Sequence, residues 1–233
     1  MSEPELRQIV FDTETTGFDP LEGHKIIEIG AVEVINYLPT GKTFHRYINP
    51  ERDVPIEAVN VHGLTEEFLK DYDIFSVVVP DFIEFVGDAT LVAHNAEFDM
   101  NFMNYQLKHG GFPVLKNKVI DTLVIARQKF PGAPANLDAL CRRFEIDNSN
   151  RDFHGALLDS ELLADVYIEL MGGRQRGLEL DDEKNAQDKN QQNKSLLSTK
   201  PVREARIFEI SEQELKAHQD MLDTEIKTPI WSQ

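Results

Sequence analysis

Ile9-Val10-Phe11-Asp12-Thr13-Glu14-Thr15-Thr16-Gly17 is an apolar run that turns acidic at its end. Along a β-strand, residues two apart point to the same face, so Asp12 and Glu14 share one side and Phe11 takes the other. Gln8–Phe11 is therefore read as a short strand that delivers two carboxylates at its end. Such a pair is usually solvated when it stands alone, and its meaning depends on what the rest of the chain brings to it.

Working outward, Ile26–Ile35 reads as a longer strand and Lys42–Ile48 as a third, with Leu38-Pro-Thr-Gly-Lys42 as the turn between them. Short loops between three strands predict an antiparallel meander. Val77–Val86 has helical spacing, Thr90–Ala93 is a short strand opening into a helix from Ala96, and Val119–Asp121 is a last strand. Helices are expected at about 122–130, 137–144 and 155–171. A meander followed by βαβ-like units is an α/β fold, a mixed sheet covered by helices.

The chain has 233 residues and a net charge of −17, unevenly spread. Residues 1–172 hold 14 Lys/Arg against 29 Asp/Glu, and residues 173–233 hold 10 against 12. An acidic first part argues against tight autonomous binding to a phosphate backbone, which basic residues normally drive. It leaves room for a metal-loaded site that grips one strand end. Cys141 is the only cysteine, so no intrachain disulfide forms. Its place in the stripe Leu137, Leu140, Cys141, Phe144 makes it a buried reduced thiol. With no basic-then-apolar N-terminus and no apolar run near 18 residues, the chain reads as cytoplasmic, with no membrane partner.

Gly172-Gly173 ends the last helix of this part. From Asp181 to Ser195 the only apolar residue is Ala186, as in a solvated linker. Apolar residues return in Val202–Trp231, where Ser211 and Glu214 form a capping box that opens a helix. Thirty residues cannot bury a core alone, so another surface must cover Ile207, Phe208, Leu215, Leu222 and Trp231. The expected division is a domain over 1–172, a linker over 173–200 and a docking tail over 201–233.

Two further acidic sites join Asp12 and Glu14. His94-Asn95-Ala96-Glu97-Phe98-Asp99 opens a helix and puts Asp99 on one face with Phe102 and Met103. Taken singly, Asp99 could equally be a first-turn acid favoured by the helix dipole. His154-Gly155-Ala156-Leu157-Leu158-Asp159 places Asp159 on the stripe Leu162, Leu163, Val166, Leu170 that faces the core. A carboxylate there is costly unless it binds a cation or pairs with Arg or Lys. Four carboxylates from three separated elements are what two divalent ions about 3.5–4 Å apart require. Hard cations take oxygen ligands, and a histidine can accept the proton of an attacking water.

These blocks closely resemble the DEDD exonuclease superfamily in its histidine-bearing branch, over residues 7–171. The resemblance implies a ribonuclease-H-like mixed five-stranded sheet whose third strand is antiparallel. It also implies that Asp12, Glu14, Asp99 and Asp159 bind two Mg²⁺ or Mn²⁺ ions and that His154 is the general base of a 3′→5′ exonuclease. The stretch Val54–Thr65 resembles the family segment along the terminal nucleotide. Glu57 and His62 would there contact the 3′ sugar or base, with Phe98 and Thr15 nearby.

Through its linker and apolar tail, the whole chain resembles the proofreading subunits of bacterial replicative DNA polymerases. By that resemblance its substrate is a single-stranded or frayed primer 3′ end, and its tail docks on the polymerase catalytic subunit. Gln175-Arg-Gly-Leu178-Glu-Leu180 resembles the short motif with which replication proteins bind the sliding clamp, and a small accessory subunit is a further candidate partner. The rival readings are a free-standing exonuclease acting on RNA or short oligonucleotides, and a non-catalytic scaffold, which would predict eroded carboxylates.

Overall fold

The computed structural model describes residues 6–151, 153–173 and 211–224. The chain divides into two units, residues 1–178 and 179–233. In the first unit five strands form one sheet in the order β3-β2-β1-β4-β5: β1 (Arg7–Thr15), β2 (Ile26–Ile35), β3 (Leu38–Tyr47), β4 (Thr90–Ala93) and β5 (Val119–Asp121). The helices are α1 (Ile56–His62), α2 (Glu66–Leu69), α3 (Phe75–Val86), α4 (Ala96–His109), α5 (Thr122–Lys129), α6 (Leu137–Phe144) and α7 (Ala156–Leu170). The fold is the expected mixed α/β sheet with helices against it.

Three details differ from the sequence expectation. The strand that runs against the others is β2, not the third: it pairs antiparallel with both β1 and β3, while β4 and β5 run parallel to β1. The hairpin turn is Asn36-Tyr37, both at positive φ (51° and 63°), and Ile35 pairs directly with Leu38. Two successive positive φ values suit the right-handed twist of a two-residue hairpin. The turn-like residues after Leu38 instead absorb a register irregularity between β2 and β3. Finally, β1 continues through Asp12, Thr13 and Glu14, because Gly30, Ile29 and Glu28 of β2 supply backbone partners after the apolar run has ended.

Alternation along β1 divides the core. Ile9 and Phe11 pack with Val79, Phe82 and Phe102 of α3 and α4. Val10 packs with Leu163, Ala164 and Tyr167 of α7. Asp12 and Glu14 follow the parity of Val10, which sends them toward α7. The backbone of α7 comes very close to β2: a Cβ on Gly30 would lie 2.1 Å from the carbonyl carbon of Ala156 and 2.2 Å from the nitrogen of Leu157. Ser160 Oγ donates a hydrogen bond of 2.9 Å to the Gly30 carbonyl at the same place. Gly30→Ala is expected to destabilise the domain by about 1–3 kcal/mol through overpacking. It should also lower nuclease activity, because it pushes away the turn that carries Asp159. Thermal melting and a single-strand degradation assay check both effects.

In the second unit, α8 (Glu212–Thr224) opens with the expected capping box. Ser211 Oγ accepts from the Glu214 N–H at 3.3 Å, and the Ser211 N–H donates to Glu214 Oε2 at 3.0 Å. Leu215 lies on this helix and is exposed. The linker 181–195, the clamp-motif residues Gln175, Leu178 and Leu180, the tail residues Ile207, Phe208 and Trp231, and the Leu222 side chain lie outside the described residues. Among the described residues, no helix is long and apolar enough to cross a membrane.

Candidate active site

The structure brings Asp12, Glu14, Asp99, His154 and Asp159 to the wall of one cavity of about 360 Å³. Asp12 and Glu14 come from the end of β1, Asp99 from the first turn of α4, and Asp159 from the first turn of α7. A sharp bend sets α4: Asn95 has φ 64°, which asparagine tolerates better than most residues, and its N–H donates to Asp121 at 3.1 Å. Asp99 is then tied to β1 itself, because its Oδ1 accepts from the Thr13 N–H at 3.1 Å and the Thr13 hydroxyl at 2.7 Å. His154 is held by its backbone N–H, which donates to the Val61 carbonyl of α1 at 3.1 Å. Glu14, His154 and Asp159 offer ligand atoms within 4.8 Å of one another.

Asp159 is paired, which its sequence position had left open. Arg151 Nε donates to Oδ1 and Arg151 Nη2 to Oδ2, each at 2.6 Å. The same guanidinium donates to Asp138 Oδ1 and to His154 Nδ1, each at 2.8 Å.

Thr15, Glu57, His62 and Phe98 line a second, more apolar cavity of about 320 Å³. Thr13, Glu14 and Phe98 line both cavities, so the two are neighbours along β1 and the start of α4. His62 is buried, and its Nδ1 accepts from the Leu64 N–H at 3.0 Å. A larger cavity of about 680 Å³, lined by Asp147, Asp165 and Glu169 near the C-terminal end of α7, contains none of the site residues.

A model of the Exonuclease family matches residues 9–167. The chain is 46% identical over 227 residues to the DNA polymerase III subunit epsilon of Rickettsia felis, covering 96% of this chain and 98% of the relative. It is also 46% identical over 239 residues to that of Salmonella typhimurium, covering 96% and 95%. The chain belongs to the DNA polymerase III subunit epsilon family of exonucleases. A solved structure of exonuclease X in complex with 5′ overhanging duplex DNA is similar at 26% identity, with a TM-score of 0.58, over 70% of this chain and 90% of that one. Epsilon subunits are proofreading 3′→5′ exonucleases, and divalent metal ions are general to their family.

The electrostatics of this epsilon-family site are those of crowded carboxylates. Burial, and then the neighbouring charges of Asp99, Glu14 and Asp159, hold the Asp12 pKa well above the ordinary carboxylate range. Burial, then Asp159 and Glu28, pushes Glu14 up to about 8. Burial also raises Asp99 to about 7, against the hydrogen bonds from Thr13. Asp159 moves the other way: burial would raise it, but the hydrogen bonds and charge of Arg151, with His154, hold it below the usual value.

For the three raised groups the fold retains protons that the unfolded chain has already released. Stability is therefore greatest below the ordinary carboxylate pKa and falls as pH rises toward about 8 for Glu14. Glu14→Gln is expected to stabilise the metal-free protein by about 2–4 kcal/mol at pH near 8, with the gain vanishing below about pH 4. Thermal melts of both proteins across pH, in chelator, check this.

Several side chains of the site were not singled out from sequence. Thr13 clamps Asp99 yet reads as an ordinary strand threonine. His94 and Asn136 line the carboxylate cavity, and His94 Nδ1 lies 2.8 Å from Thr122 Oγ1. Arg151 and Asp138 carried one weak signal, an arginine three residues ahead of His154 in a strongly acidic domain.

Proposed function

We propose that Asp12, Glu14, Asp99 and Asp159 hold two divalent ions and that His154 is the general base with which this exonuclease releases the 3′-terminal nucleotide of a DNA primer. The observation that carries this reading is the convergence of four carboxylates from three separate elements on one cavity, with a more apolar cavity beside it. The carboxylate donors fit the ions: they are all oxygen, as Mg²⁺ or Mn²⁺ prefers, and Arg151 is the cation that borders them in the metal-free structure. When bound, two such ions supply water activation and charge stabilisation at the leaving 3′ oxygen.

The protein's own part is positioning and proton transfer. Thr13 keeps one Asp99 oxygen fixed, so the carboxylates of β1 and α4 move as one unit. His154 borders the same cavity, within reach of a water beside the carboxylates, and would take that water's proton. The terminal nucleotide would enter the apolar cavity, with Phe98 against the base and Thr15, Glu57 and His62 along the sugar or base.

Kinship to polymerase subunits over nearly the whole chain favours a delivered nuclease over a free-standing enzyme on RNA. In this reading 1–172 is the nuclease domain, 173–200 a linker with clamp contacts from Gln175, Leu178 and Leu180, and 201–233 the polymerase-docking tail. The tail's anchors are Ile207, Phe208, Leu215, Leu222 and Trp231. The sliding clamp and a small accessory subunit are further partners, and the setting is cytoplasmic. The test is metal-dependent mononucleotide release from a mispaired DNA primer, with and without the polymerase catalytic subunit, beside an RNA substrate of the same sequence. An equal rate on RNA, with no stimulation by the polymerase, would count against proofreading.

Truncation after Gly173 is expected to keep near-normal hydrolysis of single-stranded DNA and to lose stable polymerase binding. Trp231→Ala or Phe208→Ala alone should cost about 2 kcal/mol of that binding, as buried aromatic anchors do. Pull-down with the polymerase checks both. Wild-type affinity in the truncated protein would show that the tail is not the tether.

A further inference from the structure

We propose that Arg151 is a positioning residue that competes with divalent metal for Asp159 and, when displaced, is retained by Asp138. The proposal rests on the reading of Asp159 as a metal ligand. The geometry points to it in three ways. The Arg151 fork takes both Asp159 oxygens at 2.6 Å, so the carboxylate is engaged on both sides by a cation of the protein's own. A divalent ion sharing that carboxylate would stand within a few ångströms of the guanidinium, and the like charges repel inside a low-dielectric site. Arg151 already has somewhere to go, because Nη1 donates to Asp138 Oδ1 at 2.8 Å and Asn148 Nδ2 holds that oxygen at 3.0 Å.

The contact with His154 extends the effect to the base. A guanidinium only donates hydrogen bonds, so His154 Nδ1 must accept from Nη2 at 2.8 Å. While that bond is made, the Nδ1 lone pair is not free for a water's proton. Releasing Asp159 to a metal and releasing Nδ1 of His154 are thus one movement of one side chain.

Mn²⁺ binding measured by calorimetry without nucleic acid tests this. Arg151→Gln should bind Mn²⁺ at least about tenfold more tightly than wild type, and Arg151→Lys, which keeps the charge but loses the fork, should fall between them. Half-maximal exonuclease rate should move to lower Mn²⁺ in the same order. Asp138→Asn should weaken binding several-fold in the wild-type background and much less beside Arg151→Gln. Unchanged or weaker binding in both Arg151 variants would overturn the proposal and leave Arg151 a fixed tie for Asp159. An Asp138→Asn effect of equal size in both backgrounds would overturn the retaining role. Failure of the wild-type protein to bind Mn²⁺ at all would instead sink the metal-site reading beneath it.

Discussion

Asp12→Ala is expected to abolish metal-dependent degradation, a loss on the order of 10³-fold or more, while the domain stays folded. Asp12 faces the shared cavity, and its carboxylate is repelled by Asp99, Glu14 and Asp159. Its removal therefore relieves the fold while it removes a proposed metal ligand. Asp159→Ala should be equally inactive but should melt lower, because it deprives the buried Arg151 of both its 2.6 Å partners and leaves Asp138 as its only carboxylate. Circular dichroism melts beside a mononucleotide-release assay distinguish the two. Full activity in the purified Asp12→Ala, Asp159→Ala double variant would sink the two-metal assignment.

His154→Ala is expected to lower kcat by about 10²–10⁴-fold, the usual contribution of a positioned general base. Metal affinity should be largely kept, because the four carboxylates remain and the fork of Arg151 on Asp159 does not pass through the imidazole. The histidine is exposed and fixed mainly through its backbone bond to Val61, so alanine keeps that bond and the fold. Single-turnover rates with Mn²⁺ calorimetry separate chemistry from metal binding. A variant with wild-type kcat would assign water activation to the metal alone.

Much of this site is legible in the sequence because it is written in local periodicities. The spacing of Asp12 and Glu14 on a strand, and of Asp159 with Leu162, Leu163 and Val166 on a helix, each specifies a face. What remained hidden depends on partners far apart in the chain or on unusual backbone. The Asn36-Tyr37 turn carries no sequence signal because neither residue is glycine, and the nearby Pro39 and Gly41 point to a later reversal. Arg151 was missed because arginines next to acidic segments are commonplace. Only the fold reveals that its guanidinium reaches Asp138, His154 and Asp159 together.

The approach of α7 to β2 at Gly30 is a matter of clearance, and clearance leaves no trace among functional groups. Gly30 stands opposite Asp12 in the sheet and beneath the turn that leads to Asp159, yet it has no side chain to score. A homologous chain could keep all five site residues and every recognisable motif, carry alanine at this one place, and hold its two halves of the site a fraction of an ångström too far apart. Counting the acidic residues alone would classify it as a working nuclease. The thickness of one methyl group on a strand with no chemistry of its own thus sets how finely the cutting edge is aligned.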